Sequence, residues 1–353
     1  MVLSQNQALD LAPVQEVFSE FLSESVNSVK HIKYGIGSSY SPGTTTSTNS
    51  TNVGPRVAIP HQSSASTADP SVIFYDGIGA QMVKVDFITS AILTSVPISL
   101  NYIVPTEGIR PTETGDENEV WACTQSTQTG IMVIDMGAGN ILATIPVPAT
   151  GSGEYPINIV FTNDGATAIE AIAYSKADSS GNMGKLVIFD TATRTLTSTL
   201  LLPLAPSALL MAPDGLTAYV LGNAGGSGPL KPEIIYYDVL SGTADLTAPF
   251  PFEAPPSGVF IHPDGTRLLC GQCVGNGLVV FDLTTRTITN TFTFTLLPGA
   301  GATTGMNMSQ DGSTAAFTDI LHNVYVLDTR YGNLLVTYNT GAYSLVFPGP
   351  GGN

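Results

Sequence analysis

The side chains that carry most enzymatic chemistry are sparse in this sequence. Its four histidines are His31, His61, His262 and His322. No two stand at an HxH or HExxH spacing, so no histidine metal site is indicated and no metal is expected. Cys270-Gly-Gln-Cys273 is a lone CxxC, with only Cys123 besides. Zinc would need two further ligands, and thioredoxin-type exchange needs a βαβ context, so these cysteines read as strand and loop residues. Cations are few, which singles out Arg110, a side chain able to grip an anionic group bidentately. Glu154 and Tyr155 are the nearest candidates to accompany it. The acidic run Asp116–Glu119 could attract a cation or form a solvated turn. Asn49 and Asn307 each begin an Asn-x-Ser/Thr sequon, which matters only on a eukaryotic secretory route. No nucleotide-binding loop is present, and no cofactor is expected.

Composition narrows the classes of partner. The 353 residues carry a net charge of −16, from 28 acidic and 12 Lys or Arg side chains. Such a surface repels phosphate backbones and anionic lipid, so nucleic acid is not an expected partner. No apolar run reaches the roughly 20 residues that cross a bilayer, so no transmembrane segment is expected. The first basic residue is Lys30 and acids come early, so no signal peptide is visible. Acidity with little Lys favours an extracellular or periplasmic setting on composition alone, which requires a leader removed beforehand. Hydrophobic residues at 43%, charged residues at 11%, 36 Gly and 24 Pro point to one large all-β domain with many short turns.

The elements that would position these residues form a repeat. Six segments share a strand-forming run that ends in Asp: Met82–Asp86, Met132–Asp135, Leu186–Asp190, Ile234–Asp238, Leu278–Asp282 and Val324–Asp328. A polar turn and a β-branched run follow each one. Asp-Gly pairs at Asp164-Gly165, Asp214-Gly215, Asp264-Gly265 and Asp311-Gly312 keep phase with them and mark hairpins, because Gly reaches positive φ without steric cost. Each unit therefore holds two hairpins, or four strands in about 45 residues, the size of a propeller blade. The recurring Asp residues resemble a catalytic or calcium array, but one position repeated around a ring is dispersed, and capping of the turn suffices.

The Pro-Asp-Gly turn, the V-x-V-x-D strand and the D-x-x-T continuation resemble the YVTN-type repeat. Tyr219-Val220-Leu221-Gly222 sits where that family carries its naming motif. The likeness covers roughly residues 70–347. It implies a single β-propeller of four-stranded blades, seven by family habit with six as the alternative. Tyr343–Phe347 and Arg56–Ile59 would share a closing blade. The domains so drawn are an N-terminal helical arm over 1–37, a Ser/Thr-rich linker over 38–55, and a propeller over 56–353 closed by N- and C-terminal strands. Propellers bind on one face, through loops leading into the innermost strands. Here those loops are expected to be Thr106–Arg110, Gly153–Tyr155 and Phe252-Glu253, which makes Arg110, Glu154 and Tyr155 a candidate ligand site at the channel mouth.

Residues 10–34 read differently. Val14, Val17, Phe18, Phe21, Leu22, Val26 and Val29 recur at helical spacing, with Asp10 as a cap, Pro13 in the first turn and Gly35 at the end. This amphipathic helix would pack on the propeller or dock on a neighbouring subunit or another protein. Sparse His, the absence of a dense charged constellation and the extra arm together indicate a non-catalytic binding or assembly propeller that self-associates or meets a protein partner through residues 10–34. The resemblance also implies two alternatives. One is a lactonase-like hydrolase or isomerase with acid–base groups or a divalent metal at the channel mouth, converging near Arg110 and Glu154. The other is a scaffold subunit of a redox complex.

Overall fold

The computed structural model describes residues 57–58, 71–76, 81–86, 91–98, 103–111, 118–125, 130–178, 180–224, 231–249, 258–271, 277–293, 303–308, 312–319, 323–331 and 333–339. The expected helix over 10–34, the linker, Asn49 and the strand at Tyr343–Phe347 lie outside these residues.

The described chain is all-β. It forms six four-stranded antiparallel sheets, each a simple meander in chain order. The first holds β1 (Val57–Ala58), β2 (Ser71–Asp76), β3 (Gln81–Asp86) and β4 (Ile92–Pro97). The second holds β5 (Ile103–Ile109), β6 (Glu119–Gln125), β7 (Gly130–Asp135) and β8 (Asn140–Pro146). The third holds β9 (Ser152–Phe161), β10 (Thr167–Lys176), β11 (Gly184–Asp190) and β12 (Thr195–Leu202). The fourth holds β13 (Leu204–Met211), β14 (Thr217–Ala224), β15 (Lys231–Asp238) and β16 (Thr243–Pro249). The fifth holds β17 (Gly258–Ile261), β18 (Arg267–Gly271), β19 (Gly277–Asp282) and β20 (Thr287–Thr293). The sixth holds β21 (Thr303–Met308), β22 (Thr314–Asp319), β23 (Asn323–Asp328) and β24 (Leu334–Asn339).

The first strand of each sheet adjoins the first strand of the next, from β1 through β5, β9, β13 and β17 to β21. This succession is compatible with a propeller. Val57 and Ala58 pair with Phe74 and Ile73. They therefore head the first sheet. A meander begun at β2 would lack its first strand, and the nearest upstream β-forming run supplies it.

Burial explains the strand sequences. The third strands β7 and β11 are buried along almost their whole length. Sheets cover both of their faces, so they read as continuous apolar runs. The outer strands β8 and β12 are exposed at most positions, β12 through Thr and Ser and β8 through Ile141 and Leu142 among others. The core is laid down between successive sheets. Trp121 of the second sheet meets Phe161 and Phe189 of the third edge-on, with ring centroids 5.9 and 5.8 Å apart. Similar apolar seams join the first sheet to the second, the third to the fourth and the fourth to the fifth.

The recurring Asp residues whose side chains are described cap turns, as their regularity suggests. Asp135 Oδ1 accepts the N–H groups of Gly137 and Ala138, each at 2.8 Å. Asp190, Asp238, Asp282 and Asp328 accept N–H groups two or three residues ahead in the same way. Hydrogen bonds from the backbone ahead hold the Asp190, Asp238 and Asp282 carboxyls below their ordinary value.

Four residues after the Asp, the backbone turns left-handed. Gly fills that place at 139 and 242, but Arg fills it at 194 and 286, with φ of 52° and 57°. The left-handed cost of roughly 1–2 kcal/mol for a residue with a Cβ is borne for a contact with the preceding sheet. Arg286 reaches Asp245 at 2.6 Å and lies 4.4 Å over the Tyr236 ring. Arg286→Ala keeps the strain and removes the contact, whereas Arg286→Gly removes both. The glycine variant is therefore expected to be the more stable of the two by about 1 kcal/mol in urea denaturation.

Candidate functional site

The charged groups singled out in the sequence lie at opposite ends of the joint between the second and third sheets. Arg110 follows the C-terminal end of β5, because the strand runs on through Pro105. Its pairing with β6 shifts register between Ile103 and Thr106, an irregularity at which a strand tolerates proline. Thr106–Arg110 is therefore not a loop leading into a first strand, as the sequence suggested. Arg110 Nε donates to the Gly165 carbonyl at 2.9 Å, and Nη1 lies 3.4 Å from Glu119 Oε1. Glu119 also receives Trp121 Nε1–H at 2.8 Å and Arg194 Nη2 at 2.8 Å. One carboxylate thus ties the start of β6 to two turns of the third sheet.

Glu154 and Tyr155 stand at the start of β9, the other end of the same joint. The length of β9 separates them from the Arg110 cluster by about 20 Å. Tyr155 is part-exposed, whereas Glu154 is buried. Glu154 Oε2 pairs with Lys185 Nζ at 2.8 Å, and the Lys185 side chain is entirely buried. Lys185 also donates to the Pro148 carbonyl at 2.7 Å. Glu154 Oε1 accepts the N–H groups of Thr150 and Gly151 at 2.6 and 2.8 Å. The Thr150 hydroxyl in turn meets the Tyr174 hydroxyl. Burial alone would raise the Glu154 carboxyl. The Lys185 ammonium and the two backbone N–H groups outweigh it and hold the carboxyl below its ordinary value. The pair therefore fastens the crossover from β8 to β9.

Between these clamps lies Glu170, on β10, fully buried. It pairs across the sheet with Ile159 and Val187. On its face of β10 stand Ala168, Ile172 and Tyr174, packed with Trp121, Cys123, Ile131 and Val133 of the second sheet. Neither carboxyl oxygen has a hydrogen-bond partner of normal geometry. Burial drives this carboxyl up to about 8, against weaker pulls from the Cys123 thiol and the Lys185 ammonium and with a push from Glu154. Glu170 is thus a neutral acid at neutral pH, sealed in an apolar seam.

The structure does not bring Arg110 together with Glu154 and Tyr155, and it engages both charges internally. Phe252-Glu253 lies outside the described residues, as do Asp116, Glu117, His31, His61, His322 and Cys273. The side chain of Asn307, on β21, is likewise not described. His262 is a turn residue beside Asp264, as its Pro-Asp-Gly context indicates. Cys270 is buried, which pushes its thiol up. Among the described residues, no three His, Cys, Asp or Glu side chains gather as a metal site. Among them, too, no helix is long and apolar enough to cross a membrane.

Glu170 and Lys185 escaped the sequence reading. Glu170 stands five residues after Gly165, where the other Asp-Gly repeats place Val220, Cys270 and Phe317. A charge at a position otherwise apolar is a signal that alignment of the repeats would have raised. Lys185 gave no such signal, since Gln81, Glu233 and Asn323 hold the same place.

No family model matches this chain, and no curated protein matches it.

Proposed function

We propose that the chain is a β-propeller acting as a non-catalytic binding or assembly subunit, which self-associates through residues 10–34. The YVTN-type repeat residues support closure of the sheets into a ring, with strands from both chain ends completing it.

The observation that carries the assembly reading is an apolar arc on the outer strands. Six and seven residues after the turn-capping Asp, the first two sheets carry Ile92-Leu93 and Ile141-Leu142, exposed by 60, 46, 42 and 37%. The two outer strands approach each other beside these pairs, where a Cβ on Gly139 would lie 3.4 Å from the Thr94 methyl. The sixth sheet carries Leu334-Leu335 at the same place in sequence. Sheets three to five place Thr197, Asp245 and Thr289 seven residues on, beside Leu196, Ala244 and an Ile288 exposed by 38%. The described part of the apolar arc lies on the first and second sheets, the first being the one into which the N-terminal segment leads. Exposed large apolar side chains on adjoining strands of this kind suit an interaction surface.

The occupant assigned to it is the apolar face of residues 10–34 from a second copy. A Ser/Thr-rich stretch of the length of residues 35–56 has, by composition, a reach of roughly 25 Å, enough to cross between two rims. Reciprocal exchange gives a two-fold pair in which each arc is covered. The variant Leu93→Glu/Leu142→Glu is expected to be monomeric with an unchanged far-ultraviolet circular dichroism spectrum. An oligomer that survives both charges would remove the arc from the interface. The hydrolase alternative needs acid–base groups open to a ligand, and the engagement of Arg110 and Glu154 in internal pairs speaks against it.

A further inference from the structure

We propose that Glu170 makes the joint between the second and third sheets a proton-operated latch, closed while the carboxyl holds its proton and opening as that proton is released.

Polar groups face Glu170 from four strands. From its own strand comes the Tyr174 hydroxyl, already engaged with Thr150. From β11 comes Lys185, committed to Glu154 and the Pro148 carbonyl. From β9 comes Glu154, a like charge, and from β6 the Cys123 thiol. The remaining partners on the second sheet, Trp121, Ile131, Val133, Ile145 and Val147, supply no ionised group to this face. Among the described residues, a carboxylate formed here has no free hydrogen-bond donor beyond the thiol. It can reach a counter-charge only by competing with Glu154 for Lys185, which would loosen the β8–β9 crossover. Otherwise it gains solvation only if the two sheets part. Opening therefore exposes an ordinary carboxyl that ionises, and the closed joint takes the proton back.

The sign follows. The carboxyl is raised to about 8 in the folded chain from an ordinary 4.5. Its contribution to closure is complete below the ordinary value. It is lost progressively as pH rises from there to about 8, and no further loss follows above. One proton leaves per opening, so the joint is weakened by alkali and tightened by mild acid. This inference does not depend on what the propeller binds or whether it assembles.

The test is hydrogen exchange of the full-length protein by mass spectrometry at pH 6 and pH 8, corrected for intrinsic exchange. Peptides from β6 and β10 are expected to open on the order of 50-fold more at pH 8. Peptides from the fourth and fifth sheets should hold their protection. Glu170→Gln, nearly isosteric and unable to ionise, should abolish the dependence. A wild-type profile flat with pH, or an equal rise in the Gln variant, overturns the latch. Should that variant not fold, infrared spectroscopy of the wild type decides: a protonated-carboxyl C=O band present at pH 7 and lost by pH 9 supports it, and its absence at pH 7 overturns it.

Discussion

Replacing Lys185 with Ala is expected to cost about 3–5 kcal/mol of stability at neutral pH, enough to threaten folding. The Lys185 ammonium is the counter-charge of Glu154 in a place that excludes water, and it also satisfies the Pro148 carbonyl. Without it a buried carboxylate keeps only the Thr150 and Gly151 N–H groups and stands alone beside Glu170. The wild-type Glu154 carboxyl is held below its ordinary value. Its contribution is therefore present above that ordinary value and lost as pH falls through the folded value. The gap between wild type and Lys185→Ala should consequently be widest near pH 7 and narrow in acid. Urea denaturation at pH 7 and pH 4 measures it. The double variant Lys185→Met/Glu154→Gln removes the unpaired charge and should recover much of the loss, since a buried ion pair contributes little beyond what an apolar replacement gives.

Gly165→Ala is the second change with a large expected effect. Gly165 has φ of +64° in the turn between β9 and β10, and a Cβ there would collide with the Pro111 carbonyl oxygen. That oxygen cannot withdraw freely. Arg110, the residue before it, donates its N–H to the Glu119 carbonyl and its Nε–H to the Gly165 carbonyl. Gly181 gives the control, because its φ is +86° but a Cβ would meet nothing within 4 Å. Gly181→Ala should therefore cost about 1 kcal/mol, for backbone strain alone. Gly165→Ala should cost about 3 kcal/mol or more, because backbone must also move. Equal losses in thermal denaturation would mean that the second sheet yields easily at this contact.

The repeat made the strands legible. Each of the six Asp-terminated runs is the third strand of a sheet, and the four Asp-Gly pairs sit between first and second strands. Both follow from local chemistry, a capped turn and a residue free to take positive φ. The first strands were harder to read. β5 continues through Pro105, and β1 is only two residues long, so neither gives a periodic signal.

The site was legible only in part. Arg110 and Glu154 stood out as rare charges, but a lone sequence position does not reveal its partner on another sheet. Glu119 became meaningful only when Arg194, 75 residues on, was seen against it. Glu170 was hidden because the surrounding Ile169, Ala171 and Ile172 describe an ordinary strand, and only comparison across repeats exposes the intruding charge.

Mass by light scattering, for the full chain and for a variant lacking residues 1–35, tests the assembly reading most directly. The full chain is expected to be oligomeric and the truncated chain monomeric with its β-sheet spectrum intact. Two folded monomers would contradict the account, placing the N-terminal segment on its own rim and returning attention to small-molecule ligands, lactones among them.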